Sequence, residues 1–468
     1  MSHVPNDPPS PRLRLILLLV SAATFMAGLD LFIVNVAFPN LRSAFHTDDA
    51  SLSWVLNAYA IVFAALPIPL GRLADAYGRR AGFAAGLAVF AAASIGCAVA
   101  PSLGWLIAAR VAQAVGAAAL VPTSLSLLLG EFPPARRPSA VATWAASGAL
   151  AAAAGPPLGG LLVQAGWRWV FLINVPIAAL ALIGTFWLVS ESRAEGRPQL
   201  PDLAGALLLV LGIGLLTLGV VEGNDWSWGA PATVICLIGG PVAVAAFLVR
   251  CTRHRQPVIE PRMFGDRAFS AATAVTVLFF AGFGAIVLGN ILFLADAWHG
   301  SVLRAGLEFA PGPAMAALVS FTVAARLIAR FGHRSVAVSG ALITALGSAL
   351  LLASLTTDPA YLSDYLPGGL LIGAGVGLTL PTLAAAISAP LPPDRRAVGS
   401  GIFAMGRQLG TVLGVAAFIA LLGRSAIDEG MSGYDRGWAF ITVTELAAAA
   451  VGFGIIGRPA VDRVPQHQ

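Results

Sequence analysis

Residues 71–80 read GRLADAYGRR, and residues 325–334 read ARLIARFGHR. Arg72 corresponds to Arg326, Leu73 to Leu327, Gly78 to Gly332 and Arg80 to Arg334. A second correspondence runs from VPT at 121–123 to LPT at 380–382, and at the same offset from PPARR at 133–137 to PPDRR at 392–396. Chance similarity between apolar segments does not align prolines and arginines in this way. The chain is therefore a duplicated unit, two halves related by pseudo-symmetry.

The stretches between these motifs set the solvent. Of 468 residues 57% are apolar and 11% charged, whereas soluble chains carry about 25% charged residues. The apolar residues come in runs of roughly 20, the length a helix needs to cross about 30 Å of hydrocarbon. Runs near 14–36, 52–71, 82–100, 104–128, 139–163, 168–190, 202–222, 231–250, 268–295, 304–325, 335–355, 363–388, 398–423 and 438–457 predict an all-α membrane protein with 14 spans. The first run follows Arg12 and Arg14 without a small-residue cleavage site, so it is expected to stay as an anchor.

All 28 basic residues are arginine. With both termini cytoplasmic, 21 of them fall on the inner side and five on the outer, leaving Arg110 and Arg407 within spans. That asymmetry is the one short cytoplasmic loops show, and an odd number of spans would destroy it. The absence of lysine, with alanine-rich runs, points to a high-GC bacterium and hence to its inner (cytoplasmic) membrane. The repeat makes spans 1–6 and 9–14 the halves, with spans 7 and 8 inserted. The expected organisation is a tail at 1–13, a six-helix bundle at 14–190, linkers with the inserted pair at 191–262, a second bundle at 263–457 and a tail at 458–468.

Several functions are excluded. The net charge of +5 is dispersed through short loops instead of gathered on one face, so no nucleic acid is expected. Cys97, Cys236 and Cys251 lack paired spacing, which leaves no metal site or disulfide framework. A phosphate loop is absent, no catalytic site is recognisable, and no cofactor is expected, so the chain is read as neither an ATP-driven pump nor an enzyme. The six histidines lie in tails or between runs. Any proton carrier within the membrane is therefore a carboxylate.

Asp30 is the first candidate. It stands in LDLFIVNVAFPN at 29–40, near the middle of the first run, where an aspartate costs about 2.5–3.5 kcal/mol to insert. Such a residue faces a cavity, gaining and losing a proton as the cavity alternates between wet and occluded, or else makes a structural hydrogen bond. Arg110 and, one turn on, Gln113 share a face in LIAARVAQAVGAA at 106–118. An arginine keeps its charge and can control a nearby carboxyl, for which Asp30 is the candidate; the alternative is a side chain that snorkels to the interface. In GALAAAAGPPLGGLL, Gly148, Gly155, Gly159 and Gly160 permit close helix approach, and Pro156 removes a backbone donor.

These stretches, in this order, resemble the major facilitator superfamily in its fourteen-span drug:proton antiporter branch. GRLADAYGRR is similar to the superfamily's signature loop, LDLFIVNVAFPN to the branch's first-helix motif, and LIAARVAQAVGAA to the proton-transfer helix, with Ala114 where the pattern has glycine. GALAAAAGPPLGGLL resembles the exporters' fifth-helix motif; WRWVFLINVP at 167–176 and GSGIFAMGRQLGTVLG at 399–414 also resemble this branch. The resemblance implies the major facilitator fold and proton-coupled efflux of small amphiphilic molecules or drugs by a monomer in the lipid bilayer. It implies proton coupling by Asp30, Arg110 and Gln113, and gating by Gly71, Asp75, Gly78, Arg79 and Arg80 on the loop between spans 2 and 3. There Asp75 meets a helix end or an arginine across the interface between halves, although Ala329 stands at its counterpart; a basic turn that only sets topology is the other reading. The hinge is Gly148, Gly155, Pro156, Gly159 and Gly160.

Candidate substrate contacts are Asn35, Glu222, Glu308 and Arg407. Glu222 ends span 7 and reads equally as interfacial. Glu308, in AGLEFAPG at 305–312, would favour cationic amphiphiles if it faces the cavity, and is otherwise solvated at shallow depth. Glu445 is alone in the last run and has no assigned role. Competing readings are a dedicated exporter of an endogenous secondary metabolite, a solute:proton symporter, and a non-transporting receptor. The receptor would not need Asp30 and Arg110 within spans.

Overall fold

The computed structural model describes residues 10–133, 136–193, 202–255, 257–388, 396–423 and 431–455. Most of the 1–13 tail, the 458–468 tail, the 194–201 linker, Pro134 and Ala135 of PPARR, and residues 392–395 of PPDRR lie outside the described residues.

No strand occurs among the described residues. In hydrocarbon each backbone donor and acceptor needs a partner within its own segment, which a helix supplies. In chain order the helices are α1 (Pro11–Phe45), α2 (Asp49–Ala65), α3 (Pro67–Tyr77), α4 (Arg79–Ala98), α5 (Leu103–Glu131), α6 (Arg137–Ala165), α7 (Trp169–Leu172) and α8 (Asn174–Leu188). There follow α9 (Leu203–Val221), α10 (Gly223–Trp226) and α11 (Pro231–Arg253). The rest are α12 (Arg267–Leu292), α13 (Val302–Phe309), α14 (Pro311–Val319), α15 (Ala325–Ser354), α16 (Leu366–Ser388), α17 (Arg396–Leu422) and α18 (Ser432–Ile455). By length and composition, 10 helical segments of the described residues can cross a membrane, or up to 11 when α2 and α3, bent by 50°, count as one span.

Polar residues at the starts explain where helices begin. Ser10 accepts from the Leu13 amide at 3.4 Å, Asp48 from Ser51 at 2.7 Å and Ser102 from Trp105 at 3.3 Å. Asp266 accepts from the amides of Ala268 and Phe269 at 2.7 and 3.0 Å. Each satisfies donors that have no intrahelical partner.

The GRLADAYGRR segment corrects its expected placement. It is not a loop: α3 continues through Tyr77, and the turn is Gly78 alone, at φ 141°. The apolar run ends at Gly71 because Arg72 and Asp75 are charged, but hydropathy marks the edge of hydrocarbon and not the end of a helix. Gly332 repeats the device inside α15, at φ 78°. Positive φ is costly for a residue with a Cβ, which is why glycine stands at both matched positions.

Within the first helix set, α1 packs on α6, α5 and α8, and α4 on α5 and α8. In the last set, α12 packs on α17 and α18, and α15 on α16 and α18. Gly410 and Gly414 bring α17 against the α12 backbone, where a Cβ would strike the carbonyls of Val277 and Ala281. Between the sets, α9 and α11 form a hairpin. Ala206, Leu209 and Ile213 of α9 cluster with Ala60, Ile61 and Ala65 of α2 and Met405 and Val412 of α17.

The hairpin is pinned at its base by Asp202. Its side chain is buried, caps α9 through Gly205 N at 2.9 Å, and accepts from Arg250 Nε of α11 at 2.7 Å. Burial pushes this carboxyl up, but the Gly205 amide, Arg250 and His254 together outweigh it and hold it below its ordinary 3.8. A depressed folded value contributes stability above the unfolded value that is lost as pH falls through the folded one. Asp202→Ala is expected to cost about 1–2 kcal/mol at neutral pH, as a lost cap and a half-exposed ion pair. In thermal unfolding in detergent, the gap between variant and wild type should close below about pH 4; a gap that persists there would show that the charge is not responsible.

Candidate functional site: a buried charge cluster in the first helix set

Asp30 of α1 is 0% exposed, Arg110 of α5 1% and Gln113 of α5 0%. The fold brings these three residues into direct contact. Arg110 donates through Nη1 to Asp30 Oδ2 in a short ion pair, and to Gln113 Oε1 at 2.6 Å. Gln113 Nε2 in turn donates to Asp30 Oδ1 at 2.9 Å and lies 2.9 Å from Ser94 Oγ of α4. Spacing explains the pairing on α5, since residues three apart share a face.

Besides Ser94, two further participants escaped the sequence reading. Asn174, the first residue of α8 and 0% exposed, donates through Nδ2 to Asp30 Oδ1 at 3.0 Å. Tyr59 of α2 lies under the Arg110 guanidinium, 4.1 Å from its carbon to the ring centroid, while Arg110 Nε donates to the Val55 carbonyl at 3.0 Å. The signal for Asn174 was a single amide inside the apolar stretch WVFLINVP. Tyr59 gave none, because an aromatic in an apolar run reads as packing.

Burying two opposite charges costs several kcal/mol per ion, offset only where geometry is good and remaining polar atoms are bonded. Here three donors converge on one carboxylate, and the guanidinium has a carboxylate, an amide oxygen, a backbone carbonyl and an aromatic face. The cluster joins α1, α2, α4, α5 and α8. A change in the charge of Asp30 is therefore felt by five helices.

The hinge residues divide. A Cβ on Gly155 would sit 2.6 Å from Phe32 Cβ, and on Gly159 3.0 Å from Val36 Cβ, so both serve contact with α1. Gly160 instead faces α13 of the other set, 3.0 Å from Leu303 Cα, and a Cβ on Gly306 would meet the Pro156 carbonyl at 2.7 Å. Gly148 meets nothing within 4 Å. The two sets thus touch at the end of the bundle that carries Gly166. Arg42 of α1 adds an ion pair there, 2.7 Å from Asp296, and a second to Asp49 at 3.1 Å.

At the Gly78 end, Asp75 does not reach the other set. It accepts from Arg79 Nε at 2.6 Å, four residues on and just across the Gly78 turn. Glu191 does what the sequence assigned to no residue. Its carboxylate accepts from the amides of Arg80 and Ala81 at 3.0 and 3.2 Å, capping α4. Gly71 packs on Pro122, its Cβ position 3.2 Å from that ring.

The substrate candidates are scattered. Asn35 donates to the Leu31 carbonyl of its own helix at 2.7 Å. Glu222 caps the end of α9; burial raises its carboxyl above the ordinary 4.5, as do Asp225 and Asp48, against a hydrogen bond with Trp54. Glu308 is neutralised locally by Arg304 Nε at 2.7 Å. Arg407 of α17 is part-buried, and its Nε is enclosed without a hydrogen-bond partner. Glu445 of α18 is 0% exposed with both oxygens unbonded, against Gly282 of α12. No group of three or more residues suited to a metal ion occurs among the described residues.

Comparison with known proteins bears on this geometry. The sequence profile of the Major Facilitator Superfamily matches residues 20–415 and 271–466. The multidrug resistance protein Stp of Mycobacterium tuberculosis is 34% identical over 411 residues, 87% of this chain and 75% of that protein. The cephamycin export protein CmcT of Amycolatopsis lactamdurans is 34% identical over 443 residues, 93% of this chain and 91% of that protein. Among solved structures, a bacterial homologue of the human lysosomal transporter Spinster superposes with a TM-score of 0.67 at 18% identity, covering 95% of this chain and 97% of that one. That likeness speaks for the fold.

Proposed function

Because this chain belongs to the Major Facilitator Superfamily, and is thus a multi-pass membrane transporter and not an enzyme, we propose that it exports amphiphilic small molecules in exchange for protons. The observation that carries the reading is the Asp30–Arg110–Gln113–Asn174 cluster. Protonation of Asp30 removes the charge that holds Arg110, so proton arrival and helix rearrangement become one event. Each proton entering gains about 2.3 kcal/mol per 100 mV of membrane potential. Outward direction rests on the fifth-helix motif and on relatives named for drug resistance and cephamycin export. The second of those names also favours a narrower reading, a dedicated exporter of a secondary metabolite.

The architecture we infer has 14 spans with both termini cytoplasmic, in the inner membrane, acting as a monomer. The stretch Val302–Ser354, 53 residues long, is too long for one span and is broken at Gly332. The helices α6 and α18 add two further membrane-length segments. In this division 14–190 and 263–457 are the bundles, 191–262 carries the inserted pair, and 1–13 and 458–468 are tails. The Gly78 end is then cytoplasmic, where Gly71, Asp75, Gly78, Arg79 and Arg80 gate, and the Gly166 end is outer. Asn35, Glu222, Glu308 and Arg407 remain the substrate candidates.

The test is substrate-driven proton release from inverted vesicles energised to an acidic interior, across a panel of lipophilic antibiotics. Dequenching of a pH-sensitive dye should occur with wild type and vanish in Asp30→Asn. A response unchanged in the variant would remove Asp30 from the proton path.

A further inference from the structure

The Arg110 guanidinium lies over the Tyr59 ring, 4.1 Å from its carbon to the ring centroid. Arg110 and Arg407 are the two arginines within spans. Asp30 is fully engaged by Arg110, so that pair is neutral. Arg407 is the remaining charge. No ion pair reaches it among the described residues. Its Nε is enclosed and unbonded, and so is the Tyr59 hydroxyl. Two enclosed donors, one on α2 and one on α17, which pack against each other, therefore lack an acceptor, and the guanidinium has no counter-ion among the described residues.

The place is where the two helix sets meet. Met405 and Val412 flank Arg407 on α17 and pack against α2, which carries Tyr59. The glycines at 410 and 414 lean the same helix on α12. Arg407 is carried on this helix, is part-buried and keeps some accessible surface. A buried arginine without a counter-ion leaves the desolvation of its charge uncompensated. A planar oxyanion compensates it, since the guanidinium fork matches a carboxylate with two parallel hydrogen bonds. Glu308, the acid expected to favour cations, has its charge cancelled by Arg304.

We infer that Arg407 is an oxyanion subsite, and that this transporter takes amphiphiles carrying a carboxylate or a similarly planar anionic group. The inference rests on the export reading for its biological meaning, but binding alone tests it. The probes are three matched amphiphiles: anthraquinone-2-carboxylate, the corresponding neutral carboxamide and the corresponding methylammonium cation. Equilibrium dialysis against purified full-length protein in a neutral detergent measures each affinity.

Wild type should bind the carboxylate at least about tenfold tighter than the carboxamide, the size of one charge-assisted hydrogen bond, and the cation most weakly. Arg407→Gln should abolish the preference, while Arg407→Lys, which keeps charge but not the fork, should retain part of it. The lysine variant keeps the inference testable if the glutamine variant fails to fold. Equal affinities, a preference for the cation, or a preference that survives Arg407→Gln overturns the subsite. Asp30→Asn provides the separation from the export reading: it should lose proton coupling and still prefer the carboxylate. Lost coupling with no anion preference in any variant would defeat the subsite and leave export standing.

Discussion

Arg110→Ala is expected to lose about 3–5 kcal/mol of folding free energy, because it leaves Asp30 charged, enclosed and without its main partner. Gln113 and Asn174 still donate to the carboxylate, but two neutral amides do not replace a guanidinium. The informative comparison is with the double variant Asp30→Asn/Arg110→Gln, which removes both charges and keeps similar volumes. Thermal unfolding in detergent should show the double variant recovering most of the loss. The coupling energy from the full cycle then measures the pair itself. Were the double variant as unstable as Arg110→Ala, the cost would lie in lost packing against Tyr59 and not in an orphaned charge.

Gly306→Leu should nearly abolish transport while leaving the protein folded. The missing Cβ of Gly306 faces the Pro156 carbonyl at 2.7 Å across the contact between helix sets, and Gly160 faces Leu303 in the same seam. Overpacking costs about 1–3 kcal/mol, and a penalty of that size confined to one of two states shifts their equilibrium by about 5- to 150-fold. The seam should therefore stay open. Labelling of a cysteine placed at Ser301, at the mouth of the seam, should rise in parallel with the loss of transport. Gly148→Ala is the control: it lies in the same sequence motif, its Cβ meets nothing within 4 Å, and it should transport normally. Equal inactivation by both substitutions would mean that the glycines act through helix flexibility and not through the seam.

That contrast shows what kind of information each level holds. GALAAAAGPPLGGLL presents Gly148, Gly155, Gly159 and Gly160 as equivalent. Three are at close contacts and one is not, and of the three only Gly160 touches the other helix set. A glycine's use depends on what lies opposite, and a linear motif does not contain its neighbours. The same limit applies to the acids. Asp75 and Glu308 were each read as looking outward for a partner, and each is met by an arginine only four residues away in sequence.

Hydropathy was legible because its cause is local. A segment that must satisfy its own backbone in hydrocarbon has to be apolar, helical and long enough. The repeat was legible for a related reason: Gly78 and Gly332 are needed wherever the chain turns at positive φ. Even Asp30, Arg110 and Gln113 could be singled out one by one, since a polar residue within an apolar run is costly wherever it ends up.

Their joining was a different matter. Asp30 and Arg110 are 80 residues apart and Asp30 and Asn174 144, and only the packing of α1, α5 and α8 makes one cluster of them. Glu191 capping α4, the glycine seam at Gly306 and the Arg407 Nε left without a partner among the described residues depend equally on contacts between distant elements. The sequence by itself determined that the chain is a helical membrane protein and which residues are too polar to be there without a reason. Tertiary structure decided the reason for each, because a buried charge is defined by its counter-ion, and the counter-ion comes from another helix.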